Sequence, residues 1–136
     1  MAYARAVKTI YDEPMWESIR TKTWSLQRCD ECAQYRFPPA PICPNCLCMQ
    51  YSWQQLSGVG TILSWVVFHR QYLPEYPPPY NVVAVQLAEG PIVISNLVGK
   101  EPEASWIGQP VQVCYEPDGE GNMLPKMRLA DGGAGA

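Results

Sequence analysis

Residues 28–48 read RCDECAQYRFPPAPICPNCLC. Cys29 and Cys32 form one C-x2-C pair and Cys43 and Cys46 a second, with ten residues between the pairs. A C-x2-C pair sets two thiolates on one tight turn, close enough to share a cation. Two such turns supply four sulfurs at the corners of a tetrahedron, the closed donor set of structural zinc. Metal binding deprotonates the thiols, so binding energy becomes folding energy. A rubredoxin-like iron site uses the same four sulfurs, so the spacing specifies the ligands Cys29, Cys32, Cys43 and Cys46 more firmly than the metal. Four thiolates leave no position for water, which argues against catalytic zinc. A disulfide framework needs an oxidising compartment, and the opening MAYARAVKTIYDEP has no apolar h-region of an export signal, so the expected location is cytoplasmic. A redox C-x2-C stands alone at a helix start rather than in two copies. Cys48 lies outside the C-x2-C spacing and is left out of the ligand set. Cys114, in VQVCY, reads as a small buried hydrophobe.

Outward from this stretch, the chain has 136 residues, enough for one domain or two very small ones. Hydrophobic residues make up 47%, too many for a disordered chain despite 14 prolines. A net charge of −3 offers no broad basic field for nucleic acid or an anionic membrane, and no apolar run reaches the roughly 20 residues of a membrane helix. Residues 1–25 read as an N-terminal arm and a helix. Asp12 is the expected cap, Glu13 and Pro14 suit the first turn, and Met15, Trp16 and Ile19 give an apolar stripe running to about Trp24. That stripe either packs on its own domain or docks a partner. Residues 26–56 form the metal module, with short strands at 26–28, 35–37 and 51–56. It is too small for a core of its own, so the metal is expected to stabilise it.

From Ser57 the pattern turns to strands. Residues 59–69 are rich in β-branched and aromatic side chains, with Ile62, Ser64, Val66 and Phe68 on one face and Leu63, Trp65 and Val67 on the other. Strands at 81–88 (Val83, Val85 and Leu87 on one side), 92–98, 111–116 and 124–129 follow, and residues 131–136 read as a flexible tail. Five strands over residues 57–130 fit an OB-fold barrel, with an SH3-like barrel or small sandwich as alternatives. The fold class is therefore mainly β: an N-terminal helix, a rubredoxin-like zinc ribbon, then a five-stranded OB-fold barrel. Between the first two barrel strands, HRQYLPEYPPPYN (69–81) holds the only histidine, three tyrosines and four prolines. Proline stiffens the loop, and tyrosines on a stiff loop suit recognition as well as they suit a connector capping the barrel end. His69 has no Cys, Ser or Asp at a specific spacing to make it a catalytic base.

The combination Arg28-Cys29-x-x-Cys32, Phe37-Pro38-Pro39, Cys43-Pro44-x-Cys46, Ser57-Gly58-x-Gly60, Pro79-Tyr80-x-Val82, Glu89-Gly90 and Ile107-Gly108-x-x-Val111 resembles the zinc-ribbon plus OB-fold proteins of domain of unknown function 35, over residues 13–130. The resemblance implies an accessory subunit of thiolase-like enzymes. It would be non-catalytic and zinc-binding, and would help form the acyl-CoA site of an acyltransferase complex while stabilising its catalytic subunit. The benzoylsuccinyl-CoA thiolase of aromatic degradation is one such setting, and the sterol side-chain CoA aldolase another; the short format suits a thiolase subunit better than a fused hydratase domain. The implied partners are a thiolase-family catalytic chain, in a heterotetramer, and a coenzyme A thioester. Family members place acyl-CoA near the ribbon–barrel junction. The resemblance therefore nominates Phe37, Trp65, His69, Arg70, Tyr72, Tyr76 and Tyr80 as substrate, CoA or partner contacts, with Arg28 and Arg36 as secondary electrostatic candidates. Ribbons and OB-folds also bind single-stranded nucleic acid, a competing reading that the acidic charge weakens.

Overall fold

The computed structural model describes residues 7–130, so the expected tail at 131–136 and the first six residues of the expected arm lie outside the described residues. The chain opens with one helix, α1 (Glu13–Arg20), and continues as eight strands: β1 (Ser25–Cys29), β2 (Tyr35–Arg36), β3 (Tyr51–Gln55), β4 (Val59–Phe68), β5 (Tyr80–Leu87), β6 (Ile92–Ser95), β7 (Pro110–Pro117) and β8 (Met123–Leu129). They form a three-stranded antiparallel sheet in the order β2-β1-β3 and a five-stranded sheet in the order β6-β5-β4-β7-β8. The second sheet curls until its ends meet. Leu97 bridges Met127 in parallel, the Val98 N–H donates to the Met127 carbonyl at 2.8 Å, and the Met127 N–H donates to the Asn96 carbonyl at 2.9 Å. That parallel closure between the third and fifth barrel strands is the OB topology.

Helix α1 is shorter than its apolar stripe suggests. It ends at Arg20, and Trp24 sits just before β1 rather than on the helix. Asp12 occupies the N-cap position, yet its carboxylate accepts from Thr9 instead of capping the helix. Met15 and Ile19 are buried in the chain's own core, which decides between the two readings of the stripe. Trp24, Leu26 and Leu56, from the base of the three-stranded sheet, join the same cluster as Ile62, Val83, Val85, Leu87, Val111 and Met127. The metal module therefore does not lean on metal alone; its base shares the barrel's core. A backbone bond reinforces the junction, with the Trp24 N–H donating to the Tyr115 hydroxyl of β7 at 3.1 Å. Burial, only partly offset by that bond, pushes the Tyr115 phenol up from its ordinary value.

The expected alternation along β4 holds only as far as Ile62. A bulge between Ile62 and Ser64 sets an extra residue against β5, where Ile62 faces Val85 and Ser64 faces Ala84. Beyond it the parity of the strand flips. Trp65, opposite Val83, now lies on the core side with Ile62, whereas Ser64, Val66 and Phe68 face outward. Val83, Val85 and Leu87 share the buried side as expected. Gly60 explains why β4 and β5 approach so closely: a Cβ there would lie 2.6 Å from Val85 Cγ1 and 3.0 Å from the Gln86 carbonyl.

Two substitutions test this frame. Tyr115→Phe removes the acceptor of a part-buried N–H and should lower unfolding free energy by about 1–3 kcal/mol. Gly60→Ala overpacks the β4–β5 contact and should cost about 1–3 kcal/mol. Both should appear as lower denaturant midpoints at an unchanged slope.

Candidate metal centre and contact surface

The two cysteine pairs fold into turns of the same design. In the first, the Cys29 N–H donates to the Gln34 carbonyl at 2.9 Å and the Ala33 N–H to the Cys29 carbonyl at 3.0 Å. In the second, the Cys43 N–H donates to the Cys48 carbonyl and the Leu47 N–H to the Cys43 carbonyl, both at 2.9 Å. Each turn needs a left-handed residue just after its second cysteine, and Ala33 (φ 68°) and Leu47 (φ 66°) take that conformation without being glycine. These turns bring the Sγ atoms of Cys29, Cys32, Cys43 and Cys46 within 4.8 Å of one another. Across the turns, Cys29 Sγ lies 3.5 Å from Cys46 Sγ and Cys32 Sγ lies 3.6 Å from Cys43 Sγ. Four sulfurs about 2.3 Å from a central zinc would be about 3.8 Å apart, so the donor set fits a tetrahedral ion.

The electrostatics of the bare thiols point the same way. The backbone N–H of Cys32, aided by that of Glu31 and opposed by desolvation, pulls the Cys29 thiol down to about 6. The backbone N–H of Cys46 likewise lowers Cys43. Cys46 goes the other way: the N–H of Cys48 favours its thiolate, but desolvation and the three neighbouring sulfurs outweigh it and push the thiol up to about 12. Four sulfurs this close cannot all ionise without a cation among them, and a dication removes the conflict. Bound there, zinc would cross-link the two turns and leave no coordination position for water. Cys48 lies outside the cluster, its Sγ accepting from the Gln50 N–H at 3.3 Å. Burial raises the Cys114 thiol, opposite to the shift of an activated nucleophile.

The four-sulfur cluster and the closed barrel together define a recognisable pair. Residues 16–47 match the family model described as the ChsH2 rubredoxin-like zinc ribbon domain, and residues 53–116 match that of the ChsH2 C-terminal OB-fold domain. A DUF35 domain-containing scaffold protein of Pyrococcus furiosus is 33% identical over 99 residues, covering 72% of this chain and 73% of that protein. The chain belongs to the DUF35 family. Among solved structures, the DUF35 chain superimposes on a chain of the Ltp2-ChsH2(DUF35) aldolase with a TM-score of 0.84 at 31% identity, covering 93% of this chain and 100% of that one. A DUF35-family protein from Sulfolobus solfataricus, 9% identical, shares the fold with a TM-score of 0.62. The probable enoyl-CoA hydratase alpha subunit of Thermomonospora curvata is 36% identical over 121 residues, but the DUF35 chain spans only 38% of its length.

Four of the residues nominated as contacts gather around the tip of the β4–β5 hairpin. Tyr80 stacks on Phe68 with ring centroids 5.1 Å apart, Tyr76 meets Tyr80 at 5.8 Å, and Tyr72 meets Phe68 edge-on at 5.8 Å. The Arg70 guanidinium sits 5.6 Å over the Tyr72 ring. Leu73, Tyr76, Tyr80, Val82 and Ile94 line a shallow cavity of about 260 Å³ beside them. The cavity continues onto the outer face of the sheet, where the bulge has turned Val66 outward next to Val82 and where Ile94 stands beside Ala84. Val66 and Ile94 are 51% and 66% exposed, so this face is apolar and uncovered in the chain alone. Phe37 and Trp65 make other contacts: Phe37 packs edge-on to Trp24, and Trp65 stacks on Trp106 at 5.5 Å. His69 and Arg28 are exposed. Arg36 is 1% exposed, so it cannot serve as a surface electrostatic contact. Its guanidinium turns inward to the backbone of the second cysteine turn.

One groove escaped the sequence reading. It measures about 590 Å³ and lies between α1 and the β7–β8 loop, lined by Lys8, Trp16, Arg20, Asp118, Asn122 and Leu124 among others. No motif marks it because its two walls come from opposite ends of the chain. Asp118 is engaged within its own loop; chiefly the Glu120 N–H, with help from Asn122, holds its carboxyl below the ordinary carboxylate range.

The metal assignment predicts that wild-type chain, prepared with zinc, carries one ion per chain by elemental analysis. Cys29→Ser or Cys43→Ser should lose it and unfold at lower denaturant, whereas Cys48→Ser should keep both metal and stability.

Proposed function

We propose that this chain is a non-catalytic, zinc-stabilised accessory subunit of a thiolase-type acyl-CoA enzyme complex in the cytoplasm. In this reading its β4–β5–β6 outer face and Tyr/Pro hairpin help form the interface or the acyl-CoA site. The observation that carries the accessory role, whichever reaction the partner runs, is the superposition, over 93% of the chain, on a chain of the Ltp2-ChsH2(DUF35) aldolase. Two further features support it. A metal held by the four cysteines would use all four donors structurally and leave no reactive position. An exposed apolar sheet face bordered by an aromatic loop is the kind of surface a permanent partner covers. Coenzyme A thioester chemistry is also named in two relatives: the Thermomonospora protein and a 3-oxo-4,17-pregnadiene-20-carboxyl-CoA hydratase alpha subunit of Mycobacterium tuberculosis, 29% identical over 100 residues. This chain spans only 38% and 32% of those proteins, so hydration is not part of the proposal.

A second reading keeps the accessory role and changes the reaction of the partner to aldol cleavage of a CoA ester, favoured by the aldolase in the superimposed structure. The two differ in chemistry. Thiolysis consumes a free CoA thiol for each carbon–carbon bond broken, whereas retro-aldol cleavage needs none.

Purification of the tagged chain from its native host should recover a thiolase-fold catalytic chain in fixed stoichiometry. That chain alone should lose at least tenfold of its carbon–carbon cleaving activity on an acyl-CoA, and adding this chain should restore it. Dependence of cleavage on free CoA selects thiolase over aldolase. A monomer with no such partner, or a catalytic chain equally active without it, overturns the accessory role.

A further inference from the structure

Arg36 is among the most buried side chains of the molecule, yet no carboxylate among the described residues pairs with it. A guanidinium removed from water without a counter-ion is costly, so a compensating interaction is expected. Its contacts identify the place where it acts. Nη1 donates to the Ala40 carbonyl at 3.0 Å and Nη2 to the Cys48 carbonyl at 3.1 Å, while Nε has no partner. Its Cζ lies 4.9 Å from the centroid of the Tyr51 ring. Ala40 and Cys48 bracket the second cysteine turn, so one rigid fork holds both ends of the segment that carries Cys43 and Cys46.

The hold reaches the ligands through shared atoms. The Cys48 carbonyl accepts from Arg36 and also from the Cys43 N–H, so the same oxygen fixes the backbone of a metal-binding residue. The other side of Ala40 is held as well: its N–H donates to Gln27 Oε1 at 2.8 Å. Gln27 and Arg36 are cross-strand partners on β1 and β2, and both are fully buried. The first cysteine turn ends on the Gln34 carbonyl instead, and no arginine among the described residues donates to it.

Charge supplies the second half of the argument. Four thiolates around a dication carry a net charge of 2−. A complex of that charge, half of whose sulfurs come from buried cysteines, favours a buried cation in the same module, and a guanidinium that finds only neutral partners elsewhere is suited to the role. We propose that Arg36 is the positioning residue and internal countercharge of the four-cysteine centre, setting the second turn for metal and raising its affinity. This goes beyond the accessory role and does not depend on it.

The test measures zinc affinity of the full chain by competition with a chromogenic chelator, and the charge-transfer absorption of the cobalt-loaded form. Arg36→Met should weaken zinc binding about 10- to 100-fold, the range for loss of a group that orients metal ligands. Arg36→Lys, which keeps the charge but not the fork, should fall between. Both should retain the thiolate–cobalt absorption at saturation, because the four sulfurs remain. Cys46→His lowers the charge of the complex by one unit, so Arg36→Met should cost less affinity in that background than in the wild-type chain. Wild-type zinc affinity in both Arg36 variants overturns the proposal, and an equal cost in both backgrounds overturns the countercharge. If Arg36→Met does not fold with saturating zinc, Arg36→Lys decides: weakened binding supports the positioning role, and unchanged binding overturns it.

Discussion

Four sulfurs held within 4.8 Å of one another constrain everything at the N-terminal end of this molecule. The arrangement is unfavourable for bare thiolates and favourable around a dication, so the two turns are useful only when they are cross-linked. Around that constraint the ribbon has almost no apolar interior of its own. One end of β1 sends Leu26 into the barrel core, and the residues beyond, Gln27 and Arg36, are polar and face the second turn. The ribbon is thus held at one end by shared hydrophobic packing, and a metal among its four sulfurs would hold the other. The Trp24–Tyr115 bond ties the junction to β7.

The barrel shapes its surface by a different device. A single bulge in β4 reverses the strand's parity, stacking a partly buried Trp65 on Trp106 and turning Val66 out beside Val82. Without that reversal the outer face would carry different side chains. With it, an apolar sheet face runs into the cluster of Phe68, Tyr72, Tyr76 and Tyr80 at the hairpin tip.

Much of this was legible from residue order. The C-x2-C spacing named the four ligands and left out Cys48, because a tight turn allows only certain separations of sulfur. The strand pattern located all five barrel strands to within a few residues, since alternation and β-branching reflect a half-buried sheet directly. Local reasoning failed where geometry was nonlocal. It ran α1 on to Trp24, although that indole belongs to the barrel core. It kept the alternation of β4 past Ile62, because a bulge has no residue type that marks it there. It expected the Asp12 carboxylate to cap the helix, whereas that carboxylate accepts from Thr9, and it made Arg36 an electrostatic contact, although the side chain is buried.

By itself, then, the sequence determined the donor set, the order of helix, ribbon and barrel, and the stiff aromatic hairpin. Each of these depends on spacing or composition within a short stretch, where backbone geometry leaves few choices. The tertiary structure alone decided which side chains face outward, that ribbon and barrel share one core, and that a buried guanidinium holds the second cysteine turn. Those outcomes depend on which strands become neighbours and how a curled sheet closes. Burial and charge partners exist only once residues distant in sequence have been brought together.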